Sequence, residues 1–177
     1  MPELVAPTVR LHAAWLAAHR EWGPGAHEDG FGLWESDEVE SAAGFAAWVA
    51  RLNRQEDPTR PLPGESVRVT YRWIVEDDEV LGGIALRHEL NDFARRVSGH
   101  IGYGIRPSAR RRGLASWALG RILDEARVIG LSRVLITCAV DNLASARTIE
   151  RRGGVFEGVV PTELGRVRRY WVTLTPG

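Results

Sequence analysis

Three consecutive arginines, Arg110, Arg111 and Arg112, stand directly before Gly113 and an apolar run that opens with Leu114 and Ala115. The stretch ahead of them, His100 to Ile105, reads as a strand, and Pro107 and Ser108 open a turn. A strand that feeds a glycine-marked helix N-terminus forms an anion site. The first-turn amides have no partner inside the helix, and the dipole adds partial positive charge there. The chemistry this predicts is capture of a phosphorylated ligand, with a pyrophosphate on the amides of Arg111 to Ala115. Other phosphate signatures are missing. Gly102-x-Gly104 has its third glycine misplaced and lacks the acidic ribose binder of a dinucleotide fingerprint, and there is no Gly-Lys-Ser/Thr. His12 and His19 are seven apart and can share a helix face, but no third ligand lies nearby, so no metal site is expected.

The turn must be held by a strand before it and a helix after it. Residues 113–129 place Ala115, Leu119, Ile122, Ala126 and Ile129 on one stripe, which covers a sheet face. Gly130 sits where a left-handed C-cap is expected. Arg133 to Val140 is apolar on both faces, as a central parallel strand should be. A right-handed crossover would lay it parallel to strand 100–105. Asp141 or Asn142 can cap a helix over 143–152, stopped by Gly153 and Gly154.

Upstream, Val67, Val69, Tyr71, Trp73 and Val75 alternate with Arg68, Thr70 and Arg72, which predicts a strand with one buried face. Residues 76–79 turn the chain into a returning strand, Val80 to Leu86. Its Gly82 and Gly83 mark a bulge or a close backbone approach. Residues 88–99 are too many for a simple hairpin loop and should add a turn of helix. A short first strand is expected within 4–11, a helix over 11–21, and a helix over 38–53 capped by Ser36 or Asp37. The acidic, glycine-rich loop 23–38 and the proline-rich loop 56–66 separate these elements. Two strands, 155–160 and 167–174, close the chain around a hairpin at 161–165.

At 177 residues the chain is read as one domain, 1–177. Basic and acidic residues number 23 each, so net charge gives no sign of a nucleic-acid or anionic-membrane partner. All the basic side chains are arginine. Cys138, the single cysteine, excludes an internal disulfide and reads as a small core residue. No apolar run approaches a membrane span and no signal peptide is visible, so a cytoplasmic location is expected.

Arg110-x-x-Gly113-x-Ala115 after a strand resembles the acyl-CoA signature of the GNAT superfamily of N-acetyltransferases. Asp141 to Gly154 (DNLASARTIERRGG) resembles the asparagine-containing strand-to-helix motif that follows it there, the wider run from Leu86 to Ser108 looks like a subset of bacterial GNAT proteins, and together the resemblance covers about residues 67–160. The resemblance implies an α/β fold: a mixed, mostly antiparallel sheet of six or seven strands, a splayed central parallel pair and about four helices. It also implies acetyl-CoA as cosubstrate, without a metal. Backbone groups of Tyr103, Gly104 and Ile105 would pair with the pantetheine amides. The amides of Arg110, Arg111, Arg112, Gly113, Leu114 and Ala115 would hold the pyrophosphate. Asn142 would bond the pantetheine arm, with Ser145 one turn on.

The implied activity is transfer of an acetyl group to a primary amine of a small molecule or peptide, by direct attack on the thioester. A catalytically silent CoA-binding regulatory domain of the same fold is the alternative. No nucleic-acid or membrane partner is expected, and the closing strands are a candidate homodimer surface. An amine acceptor arrives protonated and must lose a proton. Glu89, His88 and His100 are the candidate bases. Glu28 and Asp29 are placed to bind a cationic substrate, and Trp34, with Trp22 and Trp48, to line an acceptor pocket or to pack the core. The chain departs from the family at Ile149, where many members carry a tyrosine general acid. Tyr103 and Tyr170 are the candidates to replace it.

Overall fold

The computed structural model describes residues 1–23 and 29–175. The strands are β1 (Glu3–Val5), β2 (Val69–Glu76), β3 (Glu79–Arg87), β4 (Ile101–Ile105), β5 (Arg133–Ala139), β6 (Val155–Thr162) and β7 (Gly165–Thr173). The helices are α1 (His12–Trp22), α2 (Ala42–Glu56), α3 (Leu114–Val128) and α4 (Leu143–Arg151). The sheet runs β1-β2-β3-β4-β5-β7-β6, and every neighbouring pair is antiparallel except β4 and β5. This is the mixed α/β architecture that the sequence implied.

Both faces of the sheet are covered. Beneath α1 and α2 lies an aromatic core in which Trp15, Phe45, Trp48 and Trp73 are all at most 2% exposed. Trp48 stacks on Trp73 at 5.8 Å between ring centroids. Beneath α3 and α4 the core is aliphatic, with Ile74, Ile84, Leu86, Ile101, Leu119, Ile122 and Ile136. The alternation in β2 pointed to one buried face. The second is buried too, because α3 covers it: Ile74 is fully buried, and Arg72 pairs with Glu56 at 2.9 Å and with Glu125 at 3.2 Å. An arginine tolerates that position because two carboxylates satisfy it.

Helix α2 starts at Ala42 rather than Glu38. The Glu38 carboxylate folds back to accept the amides of Glu40 (2.7 Å) and Ser41 (2.9 Å), and the cap passes to Ser41, whose Oγ accepts the Gly44 amide at 3.0 Å. Between Glu76 and Glu79 the chain turns through Asp77 (φ 50°) and Asp78 (φ 62°), the two-residue geometry that matches strand twist. The 88–99 segment carries the expected helical turn, a π-turn at Ala94–Ser98.

The paired glycines of β3 mark a close approach. Residues 29–31 lie with their backbone directly on the sheet. A Cβ on Gly30 would stand 2.4 Å from the Gly83 carbonyl oxygen, and one on Gly83 would stand 2.9 Å from the Phe31 ring. Side chains in the strands would lift this loop away. Trp22 and Trp48 face into the aromatic core beside it, while Trp34 stays 56% exposed.

Candidate active site

Strands β4 and β5 register through one residue pair, Ile101 with Ile136. Below that pair His100 fastens them. Its amide donates to the Leu135 carbonyl at 2.7 Å, and its Nδ1 accepts the Leu135 amide at 2.8 Å. Above it, residues 102–105 and 137–139 part. β3 occupies the far side of β4 and β7 the far side of β5. The split therefore presents strand backbone that no neighbouring strand can pair, a place for an extended, amide-bearing ligand.

Two hydroxyls stand across the split. Tyr103, on β4, and Ser145, on the first turn of α4, lie 2.7 Å apart, Oη to Oγ. Asn142 caps that helix by accepting the Ser145 amide at 3.1 Å. Burial pushes the Tyr103 phenol up to about 12, with the Ser145 hydrogen bond offsetting part of the effect. Burial also pushes the neighbouring Cys138 thiol up. Tyr170 lies deeper, fully buried with its hydroxyl 3.1 Å from Glu150, and Ile149 is packed into the aliphatic core.

At the mouth of the split the chain makes the turn that the arginines marked. Arg111 (φ 66°) and Gly113 (φ 77°) are both left-handed, and the N-cap Gly113 gives no side-chain bond to the first turn of α3. The first-turn amides thus remain available, in the concave arrangement that binds anions. A non-glycine residue held left-handed costs about 1–2 kcal/mol, and such strain collects at functional turns. The three guanidinium groups diverge. Arg110 Nε donates to the Ile105 carbonyl at 3.0 Å, Arg112 pairs with Glu76, and Arg111 is exposed.

The start of this turn is tied to α1. Glu21 takes Arg106 Nε at 2.5 Å and the Ser108 hydroxyl at 3.0 Å, and it also accepts the Ser108 amide. Desolvation works against the charge, but these bonds outweigh it and hold the carboxyl below its usual range.

The opposite opening of the split faces the loop after α1. The Asp29 backbone lies on β4: a Cβ on Gly104 would stand 2.8 Å from the Asp29 carbonyl oxygen. The Asp29 charge acts on Arg87 and Tyr103. Glu28 lies outside the described residues. The Trp34 ring supports the Arg51 guanidinium at 3.6 Å, and Arg51 Nη2 donates to Asp37 at 2.6 Å and to the Gly32 carbonyl at 2.8 Å.

The three candidate bases fall in different places. His88 and Glu89 follow the last residue of β3, at the end of the sheet away from the turn at 110–115. His88 Nε2 meets Thr70 Oγ1 at 2.8 Å, and burial holds its ring below the usual histidine range. It lines a cavity of about 540 Å³ with Glu56, Asp124 and Glu125, by the C-terminal end of α3. Glu89 is exposed. His100 is at the base of the split, 6% exposed, with its ring nitrogen already accepting a backbone amide. Burial, with Arg87 and then Arg133 adding to it, lowers its pKa to about 4.

Sequence reasoning did not find Glu21, Arg87 or the Tyr103–Ser145 contact. Arg87 carried a usable signal, since alternation sets it on the same side of β3 as Gly83 and Ala85. Glu21 carried none, because its partners are 85 and 87 residues away.

Comparison with known proteins agrees with this fold. No curated protein sequence matches the chain. Among solved structures, a Salmonella typhimurium acetyltransferase that modifies the N-terminal serine of ribosomal protein L7/L12 superposes with a TM-score of 0.69 at 17% identity, covering 98% of this chain and 95% of its own. Mycobacterium smegmatis RimJ, in complex with a CoA disulfide, gives 0.70 at 18% identity, covering 97% and 81%. The microcin C7 self-immunity acetyltransferase MccE, in complex with acetyl-CoA and AMP, gives 0.67 at 15% identity, covering 97% and 92%. At these identities the likeness speaks for the fold. The sequence profile of the acetyltransferase (GNAT) domain matches residues 2–155, and the chain belongs to that family.

Proposed function

We propose that this chain is an acetyl-CoA-dependent N-acetyltransferase, working as one unit over residues 1–177, with a primary amine as acceptor. The observation that carries the reading is the split itself: β4 and β5 part after one residue pair, with the left-handed turn at one opening and the α1 loop at the other. The first-turn amides from Arg111 to Ala115 fit a pyrophosphate, and Arg111 is exposed beside them for a further phosphate. Backbone groups of Tyr103, Gly104 and Ile105 fit the amides of a pantetheine arm, and Asn142 and Ser145 flank it from α4. When bound there, acetyl-CoA supplies a thioester whose carbonyl carbon accepts an amine.

The chain's own groups then have defined work. Backbone amides along the split polarise the carbonyl oxygen. The Tyr103–Ser145 pair offers a hydrogen bond to the sulfur. A phenol held near 12 stays protonated at neutral pH, so it serves as a donor rather than a base. Full proton transfer is not needed, because a thiol with a pKa of about 8.5 leaves as the thiolate. This pair takes the place of the tyrosine that Ile149 replaces. Asp29, on the acceptor side of β4, attracts the ammonium form and takes up its proton, directly or through water. His100 is a positioning residue that holds the base of the split. His88 and Glu89 take no part in the transfer.

The test is thermal melting with acetyl-CoA, CoA and a set of amines, followed by thiol release. A stabilised wild type and a folded but unresponsive Gly113→Glu variant support the cofactor site. Binding without amine-dependent thiol release would convert the reading to a silent CoA-binding domain. No shift at millimolar acetyl-CoA would overturn it.

A further inference from the structure

A groove of about 310 Å³ lies between the π-turn Ala94–Ser98 and the β6–β7 hairpin, lined among others by Arg95, Arg96, Arg169, Thr162 and Glu163. We propose that this groove binds an oxyanion carried by the acceptor, so that the preferred substrates are amines bearing a carboxylate or phosphate a short distance from the reacting nitrogen. This rests on the acetyltransferase reading above.

Three guanidinium groups line the groove against one carboxylate, that of Glu163. Glu157 adds a second carboxylate behind Arg169. The arginines keep donors to spare. Arg96 uses only Nη1 on Glu163, at 2.9 and 3.0 Å to its two oxygens. Arg95 gives one bond, from Nη2 to the Leu90 carbonyl at 3.3 Å. Arg169 is fixed by Glu157 at 2.6 Å and by the Arg95 carbonyl at 2.7 Å, with its side chain only 14% exposed. A guanidinium carries five N–H donors, and its fork matches the oxygens of carboxylate and phosphate.

The groove adjoins the split. Arg169 sits opposite Thr137 in the β5–β7 register, and Thr137 is the first β5 residue above the Ile101–Ile136 pair. Thr137 Oγ1 donates to the Val97 carbonyl at 2.7 Å, which seats the π-turn beside the same point. Strands lie about 4.8 Å apart, so a ligand oxyanion in the groove would sit one to two strand spacings from the split, about 5–10 Å. That span fits an acidic side chain next to a peptide N-terminus, or the phosphate of an aminoalkyl phosphate. Glu163 occupies part of the groove through Arg96 and acts as a competitor that a stronger or bidentate anion displaces.

The test compares paired acceptors in thiol release from acetyl-CoA at low and high salt. The pairs are Ala-Asp-Ala amide against Ala-Asn-Ala amide, and phosphoethanolamine against ethanolamine. At least a tenfold higher kcat/KM for the charged member of either pair is expected, falling with added salt, and the pair that shows it names the source. The double variant Arg95→Gln/Arg96→Gln should raise KM for the charged acceptor about tenfold, leave the neutral one unchanged and keep the melting shift with acetyl-CoA. Glu163→Gln should act in the opposite direction. Equal rates within both pairs, or a preference that the double variant keeps, would overturn the groove while leaving the acetyltransferase standing. No thiol release with any amine would overturn both.

Discussion

The two ends of the β4–β5 pair are built from opposite instructions. At the base, His100 replaces a rung of the ladder with its own ring and leaves the Leu135 amide satisfied. At the open end the same strands part beyond the Ile101–Ile136 pair, with Gly102 and Gly104 on one face of β4 and Tyr103 on the other. One end is closed by a side chain that has no freedom left. The other leaves strand backbone without a neighbouring strand, where the proposed cosubstrate would pair. Closure and opening of the pair are thus separated by a few residues, from His100 to Gly104.

His100→Ala tests the closed end and should have the largest effect on folding. It removes the acceptor for a buried amide, which costs about 1–3 kcal/mol, and it leaves a cavity as well. Chemical denaturation measures the loss. His100→Asn keeps an acceptor oxygen at the same place but does not titrate. The wild-type ring titrates near 4 in the fold, below an unfolded value of about 6.5. The unfolded chain therefore binds more protons between these values, and stability falls as pH drops from about 6.5 toward 4. The Asn variant should show a shallower fall over that window, and an unchanged slope would remove His100 as its source.

At the open end, Gly104→Ala sets a methyl against the Asp29 carbonyl and displaces the α1 loop. Overpacking of this kind costs about 1–3 kcal/mol. The sharper expectation is kinetic: acetyl-CoA still raises the melting temperature, while amine-dependent thiol release drops tenfold or more. Tyr103→Phe should lower kcat about tenfold at neutral pH, equivalent to about 1.4 kcal/mol, with little change in folding. Arg111→Gly is the smallest and has the opposite sign. Relief of the left-handed strain competes with the greater unfolded-state entropy of glycine, leaving a gain of at most about 1 kcal/mol in the free protein. A loss of stability would show that the Arg111 side chain, and not its backbone, holds the turn.

Local chemistry made much of the fold legible. The two-residue Asp77–Asp78 turn, the left-handed Gly130 after α3 and the Asn142 cap each depend on a few neighbouring residues, and each stands where the pattern put it. Helix α2 was misplaced at its start because the Glu38 carboxylate takes the amides of Glu40 and Ser41 and leaves the Gly44 amide to the Ser41 cap, a local arrangement that propensity does not settle. The left-handed turn before α3 was readable, since glycine and arginine cluster within four residues there. The arginine groove was not. Arg95, Arg96 and Arg169 come from segments more than seventy residues apart, and alternation in β2 gave no notice that α3 would cover its charged face.

Glu21 has a thermodynamic corollary. Its single carboxylate grips Arg106 and Ser108 at the start of the turn before α3, and Asp29, further along the chain, lies on Gly104. In the proposed reading, an acceptor that shifts α1 would be felt at the Arg111–Gly113 turn. Linkage makes such coupling reciprocal: whatever factor one ligand adds to the affinity of the other is returned in full. Glu21→Gln keeps the helix but weakens the grip, and should bring the two binding events closer to independence.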